Sequence, residues 1–230
     1  MRGSDSLISL DPVSKVRKKQ DSVISRLFKT RRFGGKRLNK ATDFGHYLFC
    51  GPQGSSKTCS CLWYAERLIK KYNKKGFKVH VFANFPVGFN YVPICRNNLH
   101  ELFLNLSYKK DIINIVIIDE IQSYFPKDTK DKITLDFIDK LTGDFSQLRK
   151  RQCYVLSTAQ VYGRLNKNLR EQCLYMVNCK RSLFDKCIND FIPGDDIICD
   201  DLGRWGGIPK FIYIHGLPKS QFDTHALILQ

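Results

Sequence analysis

An α/β fold, with a central parallel sheet flanked by helices and a small β annex near the carboxyl end, is predicted by three features of this chain. Short β-branched and aromatic runs alternate with stretches of helical periodicity, the pattern of parallel strands joined by crossover helices. One run, Ile112-Ile113-Asn114-Ile115-Val116-Ile117-Ile118, is almost wholly apolar, as a strand buried on both faces must be. A glycine-bearing segment, Gly51-Pro52-Gln53-Gly54-Ser55-Ser56-Lys57-Thr58, stands between the apolar run His46–Cys50 and a helical pattern from Ser60 to Ile69.

The elements follow in order. Strands are expected near Tyr47–Cys50, Phe77–Ala83, Ile112–Ile118 and Cys153–Ser157, with a fifth near Leu174–Cys179. Helices are expected at roughly Lys57–Tyr72, Asn98–Asn105 and Thr134–Arg149. The last carries an apolar stripe of Leu135, Ile138, Leu141, Phe145 and Leu148, broken only by Gly143. Beyond Pro193 the signals become turns and short runs: Gly194-Asp195-Asp196, Ile197-Ile198, Trp205-Gly206-Gly207, then Phe211–Ile214. These predict a hairpin-like annex rather than another βα unit. The expected division is a basic arm over 1–41, a domain over 42–192 and a β-rich extension over 193–230.

Strand, glycine loop and helix together form the context of a phosphate-binding loop. Backbone N–H groups of the loop and the positive end of the helix surround the phosphates. Lys57 is expected to reach the β- and γ-phosphates, and the Thr58 hydroxyl to ligate Mg²⁺. The candidate ATP site thus comprises Gly51, Pro52, Gln53, Gly54, Ser55, Ser56, Lys57, Thr58 and the adjoining Cys59. Ser56 stands where Gly-x-x-x-x-Gly-Lys-Ser/Thr has glycine. Serine is small and can donate to phosphate, so the loop is altered rather than abolished; a binding module with little turnover stays open.

The apolar run 112–118 ends in Asp119-Glu120. Carboxylates at the carboxyl end of a central strand sit where α/β sheets bind ligands. Asp119 is expected to hold Mg²⁺, directly or through water, and Glu120 to act as general base on the attacking water. These pairings predict an ATP hydrolase of the P-loop NTPase class.

Composition narrows the rest. The chain has 230 residues and a net charge of +16, and no apolar stretch has the length needed to cross a bilayer. A signal peptide is not expected. Nine cysteines fit free thiols in a reducing cytosol better than a disulfide framework. Cys173, Cys179, Cys187 and Cys199 are too irregularly spaced for a zinc site. Residues 1–40 hold twelve basic side chains against three acids, a net +9. Such an arm implies a polyanion, either nucleic acid or an anionic membrane surface, or else an acidic partner; a solubilising tail is the plain alternative. Val23, Ile24, Leu27 and Phe28 lie at helical spacing inside it, so part of the arm fits a basic amphipathic helix.

The order of features resembles the zonular occludens toxin-like ATPases of filamentous phages, within the FtsK/HerA group of P-loop proteins. The matching segments are the loop Gly51–Thr58 and the strand ending Phe82-Ala83-Asn84-Phe85-Pro86. They continue with Val116–Pro126 around Asp119-Glu120, then the helix ending Gln147–Arg151 with the strand closing Ser157-Thr158-Ala159-Gln160, and finally Asn168-Leu169-Arg170. The match spans roughly residues 44–182. Members typically continue into a membrane-spanning and a periplasmic part, which is not expected from these 230 residues.

The resemblance implies a RecA/FtsK-like parallel sheet and an ATPase that packages or extrudes DNA during virus assembly. It implies Gln160 as a residue that senses hydrolysis or positions water; simple capping of its loop is the plain alternative. An arginine finger is implied at Arg170 first and Arg164 second, supplied across subunits of a homo-oligomeric ring, with a hexamer expected. Lys127, Lys130 and Lys132 are candidates for DNA-facing loops. Portal or coat proteins are among the candidate partners, and the expected location is the host cytoplasm, peripheral at the inner membrane or with the virion. An assembly factor anchored to a membrane by the arm is the alternative.

Overall fold

The computed structural model describes residues 44–106, 109–182, 186–199 and 205–217. The arm, with its expected amphipathic segment at 23–28, lies outside the described residues.

Eight strands form one sheet. In chain order these are β1 (Gly45–Cys50), β2 (Lys78–Ala83), β3 (Val92–Pro93), β4 (Ile112–Ile118), β5 (Cys153–Ala159), β6 (Cys173–Arg181), β7 (Cys187–Pro193) and β10 (Phe211–His215). Across the sheet they lie in the order β10-β7-β6-β1-β5-β4-β2-β3. The six strands from β6 to β3 are mutually parallel. β7 and β10 add antiparallel pairs at one side. The helices are α1 (Lys57–Asn73), α2 (Arg96–Asn105), α3 (Lys132–Ser146) and the short α4 (Lys167–Glu171).

Side-chain alternation explains why the central strands are apolar throughout. In β1, Tyr47 and Phe49 turn to one face, where they meet Leu62, Tyr64 and Leu68 of α1. Leu48 and Cys50 turn to the other, toward Leu99 and Phe103 of α2 and Ile138, Leu141 and Phe145 of α3. All seven residues of β4 are buried. A strand with helices on both faces has no solvated side, so period-2 polarity vanishes. The polar member, Asn114, is accommodated by donating its amide to the Arg151 carbonyl at 3.1 Å.

The expected parallel sheet flanked by helices is present, and at one side the run at 187–193 forms β7, which adds to it antiparallel. β10 pairs along β7 instead of joining the expected hairpin. Among the described residues, β8 (Ile198–Cys199) and β9 (Trp205–Gly206) form a separate two-stranded unit. β10 joins the sheet because Phe211 and Tyr213 complete the aromatic cluster around Phe191.

The helix expected at Thr134–Arg149 begins at Lys132, where the Asp131 carboxylate accepts the Thr134 N–H at 2.9 Å and caps the first turn. It ends at Ser146. Leu135 is 40% exposed rather than part of the buried stripe. Past the helix, buried Arg151 pairs with Asp144 at 3.3 Å and also donates to the Phe103 carbonyl. His100 meets the same carboxylate at 2.7 Å. Residues 147–152 are therefore held as a turn feeding β5.

Candidate nucleotide site

The loop between β1 and α1 is shaped by two glycines and one strained serine. A side chain on Gly51 would strike the Cys179 carbonyl at 2.7 Å, so the loop can lie against β6 only with glycine there. Gly54 adopts φ +78°, which costs glycine nothing. Ser56 adopts φ 65°, ψ 32° just before the first residue of α1. This is the glycine position of the motif, and the left-handed backbone explains why glycine is usual there. An L-residue held so costs about 1–2 kcal/mol. The Ser56 side chain makes no capping bond, leaving the first-turn amides of α1 to the loop's interior.

Lys57 Nζ donates to the Pro52 carbonyl at 3.1 Å, which holds the ammonium across the loop. From the next residue, Thr58 Oγ1 donates to Asp119 Oδ1 at 3.1 Å. The loop and the acidic end of β4 are thus in direct contact.

Sheet order makes this possible. β5 lies between β1 and β4, so its carboxyl end projects into the gap between loop and acids. Thr158 Oγ1 donates to Asp119 Oδ1 at 2.5 Å and accepts the Glu120 N–H at 2.9 Å. Gln160 Nε2 donates to Glu120 Oε1 at 3.2 Å. On the other side of β4, Asn84, just past β2, grips the Asp119 backbone twice. Its amide donates to the Asp119 carbonyl at 3.1 Å, and its Oδ1 accepts the Asp119 N–H at 2.8 Å. Glu120 itself is held at φ 51°, ψ 51°, a second non-glycine residue in the left-handed region. Strain of this kind persists only where surrounding bonds over-determine it, and Asn84 with Thr158 supply those bonds.

Burial lifts the Asp119 carboxyl above its ordinary range. Hydrogen bonds from Thr158 and Thr58 oppose that rise, the Glu120 charge adds to it, and the Lys57 charge opposes it. Oxygen donors from Thr58 and Asp119, set side by side, match the preference of Mg²⁺ for hard oxygen ligands.

The structure therefore brings together Lys57, Thr58, Asp119, Glu120 and Gln160. Arg170 packs its guanidinium over the Tyr162 ring at 5.5 Å. Arg164 is exposed in the turn Tyr162–Arg164, where its carbonyl accepts the Lys127 N–H at 3.1 Å. Lys127, Lys130 and Lys132 are exposed in and just after the loop following the acids. Cys59, in the first turn of α1, is half-buried, and burial pushes its thiol up. Asn84 and Thr158 received no role from sequence. The available signal was a polar residue closing or just following an apolar strand, on the two strands that flank β4.

Residues 47–180, more than half of the chain, match the ATPase family associated with various cellular activities (AAA). No curated protein matches the chain. Among solved structures, the N-terminal domain of zonular occludens toxin from Neisseria meningitidis is similar. It has 19% identity and a TM-score of 0.54, over 76% of this chain and 95% of that one. The expected likeness to that toxin-like fold is present. The genome packaging NTPase B204 from Sulfolobus turreted icosahedral virus 2, in complex with ATP-gammaS, aligns with 13% identity and a TM-score of 0.48. That alignment covers 76% of this chain and 98% of the other. The glycine-bearing loop touches the acidic pair through Thr58, on a sheet of the order described, and the chain belongs to the AAA family of P-loop ATPases.

Proposed function

We propose that this ATPase moves or loads DNA during assembly or extrusion of a viral particle. The observation that carries the hydrolytic half is the convergence on one acidic pair: Thr58 and Thr158 on Asp119, Thr158 and Gln160 on Glu120. The DNA half is supported by the net charge of +16 and by the order of motifs that the chain shares with phage assembly ATPases.

In this reading Lys57 and the first-turn amides of α1 hold the phosphates. Thr58 and Asp119 would hold Mg²⁺, which would neutralise charge on the phosphate oxygens. Glu120 takes a proton from the attacking water, and Gln160 keeps its carboxylate aimed. Arg170, or Arg164 in second place, reaches the nucleotide of a neighbouring subunit in a ring, which we take to be a hexamer. DNA is held through phosphate contacts without sequence readout, and Lys127, Lys130 and Lys132 are our candidates for loops that follow it. A place of action in the host cytoplasm, at the inner face of the membrane or with the virion, belongs to the same proposal. No helix among the described residues is long and apolar enough to cross a membrane.

The deciding experiment is ATP hydrolysis by the full chain at low salt, with and without single- or double-stranded DNA, beside Glu120→Gln. Stimulation by DNA, lost with salt and abolished in Glu120→Gln, supports the motor. Hydrolysis that is indifferent to both DNA forms removes the DNA half and leaves an ATPase of another use.

A further inference from the structure

The nucleotide site occupies the carboxyl ends of the parallel strands. At the opposite end, three connections come together. The turn after α1 is tied to the approach to β4 where Lys78 N–H donates to the Asp111 carbonyl at 2.9 Å. The approach to β4 is tied to the approach to β5 where Gln152 Nε2 donates to the Lys109 carbonyl at 3.4 Å. Asn114 N–H also donates to the Gln152 carbonyl at 3.0 Å.

These connections are strongly basic. The first presents Lys74, Lys75 and Lys78, all exposed. From the second come Lys109 and Lys110, also exposed, with Asp111 as the single carboxylate. The third adds exposed Arg149 and Lys150, while Arg151 is buried against Asp144 and is not counted. Seven exposed cations against one acid give this end a net +6.

The described chain begins at Phe44, whose ring lies 4.9 Å from that of Tyr154 at the start of β5 and 6.4 Å from that of Tyr72 near the end of α1. Of the net charge of +16, these three turns alone account for +6. Charge this concentrated creates a local potential that a dispersed surface does not. It lies one strand length, about 20 Å, from the acids of the nucleotide site, so it is not part of that site.

We infer that this face, at the amino ends of β2, β4 and β5, is a phosphate-backbone binding surface for DNA. Lysines on turns offer mobile point charges suited to phosphates and carry no means of reading bases. A lipid surface is the other polyanion to weigh, but peripheral membrane sites combine cations with inserted apolar side chains. None of the exposed large apolar residues of the described chain falls in these three turns. The choice of DNA rests on the function proposed above; the existence and position of the face do not.

The test is equilibrium DNA binding by the full chain across a salt series, comparing wild type with Lys74→Glu/Lys75→Glu/Lys78→Glu. A milder Lys74→Gln/Lys75→Gln/Lys78→Gln variant guards against misfolding, and nucleotide affinity is the folding control. We expect nucleotide affinity and DNA-free hydrolysis to be unchanged. DNA affinity at low salt should fall about 10-fold or more, with the log–log salt slope shallower by roughly 2 to 3. Wild-type affinity and slope in both variants overturn the proposal while leaving DNA-stimulated hydrolysis intact as a motor acting through another surface. If wild type binds vesicles rich in anionic lipid but no DNA, the proposal and the motor reading fall together.

Discussion

Thr158 and Asp119 are joined by a 2.5 Å hydrogen bond across the gap between β5 and β4, and the same Thr158 hydroxyl accepts the backbone N–H of Glu120. One hydroxyl therefore orients both acids. Removing it in Thr158→Val leaves the Glu120 N–H without its acceptor, a cost of about 1–3 kcal/mol. Displacement of the acids should lower kcat roughly 100-fold, as small misplacements of reacting groups do. Thr158→Ser should retain most activity. Steady-state kinetics of the two variants check this, and equal activity in Thr158→Val would remove the residue from the site.

Ser56 provides a prediction of opposite sign. Its backbone is left-handed, so Ser56→Gly relieves about 1–2 kcal/mol of strain and loses part of that to greater freedom of the unfolded chain. A net gain of about 0.5–1 kcal/mol in urea unfolding is expected, with ATP affinity equal or tighter. A destabilised or non-binding Ser56→Gly would mean that the serine hydroxyl itself holds phosphate.

Arg170 stacks on Tyr162 of its own chain, so truncation has both a packing and a functional consequence. Loss of the stacking is worth about 0.5–1 kcal/mol. Loss of a finger would cut turnover by about a thousandfold or more while ATP still binds. Arg170→Lys keeps the charge over the ring but not the planar fork, and should stay impaired. Mixing inactive Arg170→Ala with inactive Glu120→Gln should restore hydrolysis if the finger acts between subunits. No recovery in the mixture argues for action within one chain or for no finger role.

His46 makes the fold acid-sensitive. Complete burial lowers its pKa from the ordinary 6.5 to about 3, and the ring bonds Ser157 Oγ at 2.6 Å and Cys173 at 3.3 Å. The folded state keeps it neutral while the unfolded chain takes up a proton below pH 6.5. Its contribution is thus intact above that pH and is lost progressively as pH falls toward 3. Between pH 7 and pH 5 it should remove roughly 2 kcal/mol. His46→Gln should flatten the urea-unfolding profile over that interval. Parallel profiles for the two proteins would show that another group governs the acid limb.

The loop, the acidic pair and the strands that carry them were legible because each is written in consecutive residues. Gly51 to Thr58 needs only its own backbone and the helix that follows; Ile112–Ile118 declares its burial by lacking polar alternation. Asn84 and Thr158 stand within the motifs, yet their roles are not legible there, because their partners lie 35 and 39 residues away along the chain. The cap at Asp131 does have a local signal, an acid four residues before the first apolar residue of a helical stripe. The course of β10 had no local signal: five residues of β character fit a hairpin as well as a sheet edge.

From its own residues the chain determined which segments are strands and helices, where the glycine-bearing loop stands and which carboxylates close β4, since these depend on neighbours in sequence. Tertiary structure alone decided that β5 would stand between β1 and β4 and that Thr158 would serve two acids. It also gathered the lysines of three separate turns at one end of the sheet. Strand order is chosen by packing of whole faces and by pairing between distant segments, and no local run of residues carries that choice.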